Sequence, residues 1–263
     1  MRDANKHKDL ILGRVKKNGC VLMLDFDGTL ASIVANYRKA AISPKLRSVL
    51  ASIAKQMPVA VISGRSLADI RNRVCVGGIS YAGSHGIETF MARSRKSNSF
   101  IIPARTMSVF QRAKHKLAKV AARYPRVSIE DKGMSYAVHY RSLSPNQVVS
   151  FVNEAREIIA ENHRDGVSAI NDLYTFDIMP NISRTKGHCA REMFRALRKH
   201  NAAIPVYIGD GLTDENAFRM LHGGITIRVG KMPSSAARYY FKSRIDVDKF
   251  LRSLQMFTAP KTR

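Results

Sequence analysis

Cysteine is scarce in this chain, and no apolar run is long. The three cysteines, Cys20, Cys75 and Cys189, lie far apart and form no Cys-x-x-Cys or histidine spacing, so we predict buried free thiols and no zinc site or redox pair. No apolar stretch approaches the roughly 20 residues that cross a bilayer, so no membrane span is expected. The first twenty residues lack a signal-peptide cleavage pattern, which leaves a cytoplasmic location as the expectation.

Acidic residues are also few. The chain has 44 Lys and Arg against 20 Asp and Glu, a formal charge of +24. Such a field attracts an anionic substrate, nucleic acid or acidic lipid without distinguishing them. No nucleic-acid-reading motif is visible, and the basic run from Arg112 to Lys119 is interpreted as a solvated helix face. We therefore expect a monomer that binds a small anionic molecule, with no membrane or specific nucleic-acid partner.

Toward both ends of the chain, predicted strands alternate with predicted helices, as in α/β proteins. Val21–Leu24 is a short apolar run of the kind buried on both faces of a parallel sheet, and it predicts the central strand. A helix should begin near Ser43-Pro44, and Pro58–Ile62 should form a second buried strand. This order predicts a Rossmann-like parallel sheet, in which ligands lie beyond the carboxyl ends of the strands.

In the middle of the chain the alternation of strands and helices stops. The predicted order there is helix, strand, strand, and this order occurs twice. This pattern predicts an inserted α+β lid, after which the α/β rhythm returns. The expected divisions are a basic N-terminal extension at 1–19, a discontinuous core at 20–104 and 182–257, a lid at 105–181, and a tail at 258–263.

The most informative motif is Asp25-Phe26-Asp27-Gly28-Thr29-Leu30, directly after the central strand. A turn at Gly28 can bring both carboxylates to one pocket. One carboxylate can then attack phosphorus while the other gives a proton to the leaving alcohol and later takes one from water. The alternative is an ordinary Asp-Gly turn.

A second acidic group, Gly209-Asp210-Gly211-Leu212-Thr213-Asp214, follows another buried strand. Carboxylates gathered at two strand ends suit Mg²⁺. We predict Asp25 and Asp210 as ligands, joined by the backbone carbonyl of Asp27. Asp214 either ligates the metal, orients its ligands or simply begins a helix.

The equatorial oxygens of a phosphoryl group in transfer need a hydroxyl or backbone donor and a fixed cation. Ser63 follows the strand Val59–Ile62, and Lys186 begins a helix whose amino end favours anions. Flanking residues are expected to contact the substrate as well; they are Gly28, Thr29, Gly64 and Arg65.

Taken in order, DFDGTL, VISGR, Lys186 and GDGLTD resemble the four motifs of the haloacid-dehalogenase-like phosphatases. Three segments, Tyr81–Glu88, Lys132–Arg141 and Gly209–Phe218, narrow the resemblance to the trehalose-6-phosphate phosphatase family. The resemblance implies the haloacid-dehalogenase (HAD) fold with an αββαββ cap. It also implies Mg²⁺-dependent hydrolysis of trehalose 6-phosphate in trehalose biosynthesis, through an aspartyl-phosphate intermediate.

The same resemblance implies individual roles. Asp25 would be the nucleophile and Asp27 the general acid and base, with Ser63 and Lys186 holding phosphate. Magnesium would fall to Asp25, Asp27 and Asp210. In the lid, the distal glucose would be recognised by Glu130, Lys132, Arg141 and Asp177.

Two histidines and three departures from the family pattern are open points. His85 is expected to contact the substrate, whereas His139 is interpreted as structural, because an aspartate-based mechanism needs no histidine. Gly211 and Asn216 stand where the family usually has Asp, and Asp177 stands where it often has Glu. We expect the metal site to survive, because Asp210 and Asp214 keep their spacing.

Two other readings remain at this point. The same chemistry could act on another sugar phosphate, such as sucrose phosphate or a glycosyl phosphoglycerate. The chain could also be a non-catalytic protein that binds a sugar phosphate or nucleic acid. Carboxylates that repel an anionic ligand argue against the second reading.

Overall fold

The structure is a computed structural model that describes residues 1–34, 36–163, 166–172 and 174–258. These residues form two compact units. The first, called the core unit, holds residues 1–99 and the described residues from 184 onward, and the second, called the lid unit, holds residues 100–183. The lid unit therefore includes all of the predicted lid, 105–181, and a few residues beyond each of its ends.

The core unit alternates strands and helices along the chain. Its first segment contains β1 (Arg2–Asp3), α1 (Lys8–Asn18), β2 (Cys20–Leu24), α2 (Pro44–Gln56), β3 (Val59–Ile62), α3 (Leu67–Val74), β4 (Ile79–Gly83), β5 (Glu88–Met91) and β6 (Lys96–Ser99). The lid unit follows with α4 (Ala104–Ala122), β7 (Ser128–Asp131), β8 (Tyr136–His139), α5 (Pro145–His163), β9 (Val167–Asp172) and β10 (Thr175–Pro180). The core unit then resumes with α6 (Lys186–Leu197), β11 (Ile204–Gly209), α7 (Asp214–Met220), β12 (Ile225–Val229), β13 (Tyr239–Phe241) and α8 (Arg244–Thr258).

Nine strands of the core unit form one sheet, in the order β1-β13-β12-β11-β2-β3-β4-β5-β6. All neighbouring pairs from β1 to β4 are parallel, and only β5 and β6 are antiparallel additions at one edge. The strand β2 is the fifth of the nine, as predicted, and it is flanked by β11 and β3. The fold class predicted from the sequence is confirmed.

Burial on both faces explains the continuous apolar runs. Successive side chains of a strand point to opposite faces. In β2, Leu22 and Leu24 therefore belong to a core formed with α1, α2, α3 and α8, while Val21 and Met23 belong to a second core formed with α6 and α7. All five residues of β2 are buried, so no polar position interrupts the run.

Residues 1–19, which we expected to form a basic extension, contribute two elements to the core unit. The strand β1 pairs with β13, and α1 buries Ile11, Leu12 and Val15. These three positions lie on one side of the helix, because at 3.6 residues per turn they fall within an arc of about 100°. The basic residues of α1 occupy its remaining surface.

The lid unit is a four-stranded antiparallel sheet, ordered β7-β8-β10-β9, with two long helices. The sequence predicted this order of elements. Alternate residues of β10, including Phe176 and Ile178, are buried in a cluster with Phe110 of α4 and Phe151 of α5. Their neighbours in β10 consequently point to the opposite face of the sheet. Within the described residues, no helix is both long and apolar enough to cross a membrane.

Candidate active site

The predicted site residues lie at the ends of three adjacent strands. Asp25 follows β2, Ser63 follows β3, and Asp210 follows β11. Since these strands are parallel neighbours, their carboxyl ends meet at the same edge of the sheet. Two helices that begin nearby place Lys186 and Asp214 at the same edge.

Lys186 is the centre of a buried group of charges. Its Nζ lies 2.6 Å from Asp25 Oδ1 and 3.0 Å from Asp214 Oδ1. The exposed fraction is 5% for Lys186, 4% for Asp25 and 0% for Asp214. Charges this deeply buried persist only when they are paired, and this lysine pairs with both carboxylates.

Asp210 completes a cluster of three carboxylates. Asp25, Asp210 and Asp214 each offer an oxygen, and these oxygens all lie within 4.8 Å of one another. Gly28 permits this approach: its φ is +79°, and an added Cβ would lie 1.9 Å from Asp210 Oδ2. The glycine of the DFDGTL motif is therefore needed both for its backbone conformation and for the space that it leaves to Asp210.

The cluster perturbs the acidity of its members. Burial raises the pKa of Asp25 well above its usual range, and the attraction of Lys186 only partly opposes this rise. Burial, assisted by the charge of Asp214, raises the pKa of Asp210 to about 7. Burial by itself would lower the pKa of Lys186, but Asp214 and Asp25 outweigh it and raise that pKa instead. The single ammonium of Lys186 therefore does not fully compensate the negative charge of the buried carboxylates.

A divalent cation fits this site on the chemistry of its donors. The cluster offers only carboxylate oxygens, which are the ligands of hard cations such as Mg²⁺. When ionised, the three carboxylates exceed the single ammonium of Lys186 by two negative charges, which one divalent cation neutralises. The side chain of Asp27, predicted as part of the same motif, lies outside this cluster.

Asp27 pairs instead with Arg65. The guanidinium donates from Nε to Asp27 Oδ2 and from Nη2 to Asp27 Oδ1, both at 2.7 Å, which is a bidentate arrangement. Arg65 is only 4% exposed and also donates to Asp69 and to the carbonyl of Tyr37. The structure therefore brings Arg65 to the predicted acid and base, a partnership that motif spacing did not indicate.

The turn after β3 brings Ser63, Gly64 and His85 together. Ser63 is buried, and its Oγ accepts a hydrogen bond from the Arg65 backbone N–H at 3.1 Å. The His85 N–H donates to the Ser63 carbonyl at 3.0 Å, and an added Cβ on Gly64 would lie 2.7 Å from the His85 ring. Thr29 is fully buried, and within the described chain its Oγ1 finds no hydrogen-bond partner.

Tyr207 is a site residue that the sequence analysis missed. It lies inside β11, is fully buried, and donates from its hydroxyl to Asp214 Oδ1 at 2.7 Å. In the sequence it is one member of the apolar run before Gly209, where an aromatic residue predicts a strand and nothing more.

Three of the four predicted lid residues, Glu130, Lys132 and Asp177, lie together at the small sheet. In the strand register, Glu130 of β7 faces Ala137 of β8, which faces Asp177 of β10. Lys132 Nζ lies 3.3 Å from Asp177 Oδ2 and 3.7 Å from Glu130 Oε2. Arg141, just past β8, is exposed.

His139 also joins this lid cluster, although the sequence analysis left it out. Its Nε2 lies 3.5 Å from Glu130 Oε2, and its Nδ1 lies 3.0 Å from Thr175 Oγ1. It lies two positions after Ala137 in β8, so both point to the same face. This alternation of side chains along β8 is the sequence feature from which the position of His139 could have been predicted.

Comparison of the sequence with known families gives one clear match. The sequence model of the trehalose-phosphatase family matches residues 23–245. Trehalose-phosphate phosphatase B of Arabidopsis thaliana is 29% identical over 94% of this chain and 69% of its own length. Trehalose-phosphate phosphatase of Mycobacterium ulcerans is 35% identical over 75% of this chain, a region that spans half of that relative.

Solved structures support the same fold. The C-terminal domain of trehalose-6-phosphate phosphatase from C. albicans superimposes with a TM-score of 0.81 at 20% identity, covering 95% of this chain and 96% of that one. A haloacid-dehalogenase-like hydrolase from Bacteroides thetaiotaomicron has a TM-score of 0.62 at 14% identity, with coverages of 89% and 99%. At these identities the likeness concerns the fold.

Proposed function

Because this chain belongs to the trehalose-phosphatase family, we propose that it hydrolyses trehalose 6-phosphate to trehalose and inorganic phosphate, with Asp25 as the nucleophile. The observation that carries the proposal is the buried contact of 2.6 Å between Asp25 and Lys186 at the end of β2, next to Asp210. A nucleophilic carboxylate needs such a cation nearby, because its target, a phosphate monoester, is also anionic.

In the first half of the proposed reaction, a carboxylate oxygen of Asp25 attacks phosphorus. The bond between phosphorus and the sugar oxygen breaks, and that oxygen takes a proton from Asp27. Lys186 and the Ser63 hydroxyl hold the equatorial oxygens of the phosphoryl group. Trehalose leaves, and the phosphoryl group remains on Asp25 as an acyl phosphate.

In the second half, water attacks phosphorus and gives its proton to Asp27, which lost one in the first half. The bond between phosphorus and Asp25 breaks, which restores the Asp25 carboxylate and releases phosphate. Asp27 therefore returns to its starting state after one turnover.

Magnesium is the proposed cofactor, held by Asp25, Asp210 and the backbone carbonyl of Asp27. The two excess negative charges of the carboxylate cluster and its oxygen donors support this assignment. When bound, the ion supplies positive charge beside the phosphate oxygens. Asp214 can ligate the ion or orient its neighbours.

The proposal requires Asp27 to transfer a proton while it is bound to Arg65. Each of its oxygens accepts one hydrogen bond from Arg65 and has a second lone-pair site, from which a proton can pass to the leaving oxygen of the substrate. Asp27 is accessible for this transfer, since its side chain is 42% exposed whereas that of Arg65 is 4% exposed. Arg65 would then hold Asp27 in place.

For the distal glucose we propose Glu130, Lys132, Asp177 and Arg141, and we add His139 because it contacts Glu130. Carboxylates accept hydrogen bonds and ammonium groups donate them, so such a set suits sugar hydroxyls, which do both. The contacts of Lys132 with Glu130 and Asp177 support a preorganised polar face. These residues would decide between trehalose 6-phosphate and other sugar phosphates.

The test is phosphate release from trehalose 6-phosphate, with and without Mg²⁺, by the wild type and Asp25→Asn. A matched control is Asp9→Asn, which changes an exposed aspartate of α1. We expect Mg²⁺-dependent release by the wild type and the control, and at least about a thousandfold loss in Asp25→Asn.

Other outcomes would revise the proposal in defined ways. Turnover of sucrose phosphate or a glycosyl phosphoglycerate in place of trehalose 6-phosphate would keep the chemistry and change the substrate. Silence of the wild type on every ester, including p-nitrophenyl phosphate, would reject catalysis and favour a binding protein.

A further inference from the structure

Tyr207 is the largest fully buried side chain of the described protein, and its hydroxyl points at the charged cluster. Its ring packs in an apolar core with Met23, Ile62 and Phe218, where phenylalanine would fit equally well. A buried hydroxyl is costly unless it is hydrogen bonded. The hydroxyl of Tyr207 therefore matters chiefly through its bond to Asp214.

The hydrogen bonds of Asp214 leave its carboxylate little freedom. Oδ1 accepts from Tyr207 at 2.7 Å and from Lys186 at 3.0 Å, while Oδ2 accepts from the Gly211 backbone N–H at 2.9 Å. A carboxylate oxygen has two lone pairs, so Oδ1 is fully used. Gly209 closes the remaining space, since an added Cβ there would lie 2.4 Å from the Asp214 carboxylate carbon.

We propose that Tyr207 is a positioning residue that locks Asp214, and that Asp214 in turn fixes Lys186 instead of ligating the metal. The inference rests on the proposed function. Of the three oxygen donors in the cluster, Asp214 is the one that is both fully buried and held by three protein donors.

The reaction itself explains why Lys186 needs a second anchor. In the resting site its ammonium is held by Asp25 and by Asp214. Once Asp25 carries the phosphoryl group, its carboxylate charge is lost from that contact. Asp214 forms and breaks no bond to phosphorus, so it retains the flexible lysine for the second half-reaction. Tyr207 prevents Asp214 from turning as the lysine moves toward phosphate.

The first experiment measures kcat and KM for Tyr207→Phe, which removes one oxygen from a site that already accepts an aromatic ring. We expect kcat to fall about tenfold, the effect of about one hydrogen bond to a charged group, while KM changes less than about twofold. The matched control is Tyr81→Phe, because Tyr81 is also buried in the sheet but donates to the Val76 carbonyl. Its kcat should equal that of the wild type.

A double-mutant cycle separates action through Asp214 from a general packing effect. If Tyr207 acts through Asp214, Tyr207→Phe should have no further effect in an Asp214→Asn background. Additive losses, or an unchanged kcat in Tyr207→Phe, would overturn the positioning role. Should Asp214→Asn fail to fold, the comparison of Tyr207→Phe with Tyr81→Phe still decides it.

Metal binding provides a readout that needs no turnover. Binding of Mn²⁺, followed by electron paramagnetic resonance, should be the same within about threefold in wild type and Tyr207→Phe, and Asp214→Asn, which removes a nearby charge but no ligand, should weaken it less than Asp210→Asn does. Asp210→Asn should weaken it at least about tenfold. Equal losses in Asp214→Asn and Asp210→Asn would make Asp214 a ligand and refute the inference. A wild type that releases no phosphate would instead reject the proposed function, and the Mn²⁺ result would still decide the role of Asp214.

Discussion

Replacing Lys186 by methionine tests whether one ammonium holds the buried charges together. Methionine keeps the length and apolar body of the side chain, so the change removes the charge with little loss of packing. In the variant, Asp25 and Asp214 lose the cation at 2.6 and 3.0 Å. In the wild type both carboxylates are buried beside Asp210.

The expected cost follows from the geometry. At the 4.8 Å that bounds the cluster, Coulomb's law with an effective dielectric constant of about 20 gives about 3.5 kcal/mol between two unit charges. Removing one member of a buried ion pair costs about 3–5 kcal/mol. We therefore expect the free energy of unfolding of the metal-free protein to fall by about 3 kcal/mol at pH 8, or about 6–12 °C in Tm.

The loss should depend on pH. A carboxylate whose pKa is raised in the folded state destabilises the fold increasingly as pH rises from its unfolded pKa, about 4, through the folded value, which is about 7 for Asp210. At pH 5.5 the carboxylates of the variant can take up protons, and the deficit should shrink to less than about 1.5 kcal/mol.

The assay is thermal unfolding at both pH values without metal. Lys242→Met, which changes an exposed lysine, is the control and should unfold like the wild type. A Lys186→Met protein as stable as the wild type at pH 8 would refute the reasoning, as would a deficit that is equal at the two pH values.

Three further predictions concern the metal, the turn and the lid. For the wild type, raised pKa values in the carboxylate cluster imply that Mg²⁺ increases Tm more at pH 8 than at pH 5.5, and a larger shift at pH 5.5 in a thermal-shift titration would contradict this. Gly28→Ala should destabilise the fold by about 1–3 kcal/mol and weaken Mn²⁺ binding, because the φ of Gly28 is +79° and the new Cβ would meet Asp210. Denaturant unfolding and Mn²⁺ binding measure the two effects. The control is Gly77→Ala, whose added Cβ would have no atom within 4 Å, and it should behave as wild type in both measurements. Glu130→Gln should raise KM for trehalose 6-phosphate about tenfold and leave p-nitrophenyl phosphate within about twofold, a difference of about 1.4 kcal/mol in sugar binding; equal effects in steady-state kinetics on both esters would remove Glu130 from sugar recognition.

The positions of Asp25, Ser63 and Asp210 could be predicted because they depend on the backbone. Each follows a short apolar run, and buried parallel strands are the structures that produce such runs. Once these runs are assigned as neighbouring strands, their carboxyl ends must share an edge. The topology alone then collects the three side chains, without any knowledge of their contacts.

The partners of these side chains could not be predicted in the same way. The bidentate contact of Arg65 with Asp27 joins residues 38 positions apart, and the single hydrogen bond of Lys186 with Asp25 joins residues 161 positions apart. Such contacts depend on rotamers and on which lysine or arginine of the 44 in the chain reaches a given carboxylate. Tyr207 is the clearest example. Its ring fits the apolar pattern of a buried strand, but that pattern does not predict the hydrogen bond from its hydroxyl to Asp214.

The whole chain is positively charged, whereas the ionised carboxylate cluster at the site is negatively charged. Attraction of an anion to the protein surface and binding of that anion in the site therefore need separate explanations. A net charge of +24 draws any anion toward the protein over a distance set by ionic screening. At the end of β2, however, an arriving phosphate would meet three carboxylates and one ammonium. The long-range field therefore cannot hold the phosphate there, however large it is. Positive charge must therefore be supplied inside the cluster. The carboxylate oxygens of the cluster are ligands that a divalent cation such as Mg²⁺ prefers. The basic surface accounts for encounter, whereas the acidic site accounts for the divalent cation that we propose.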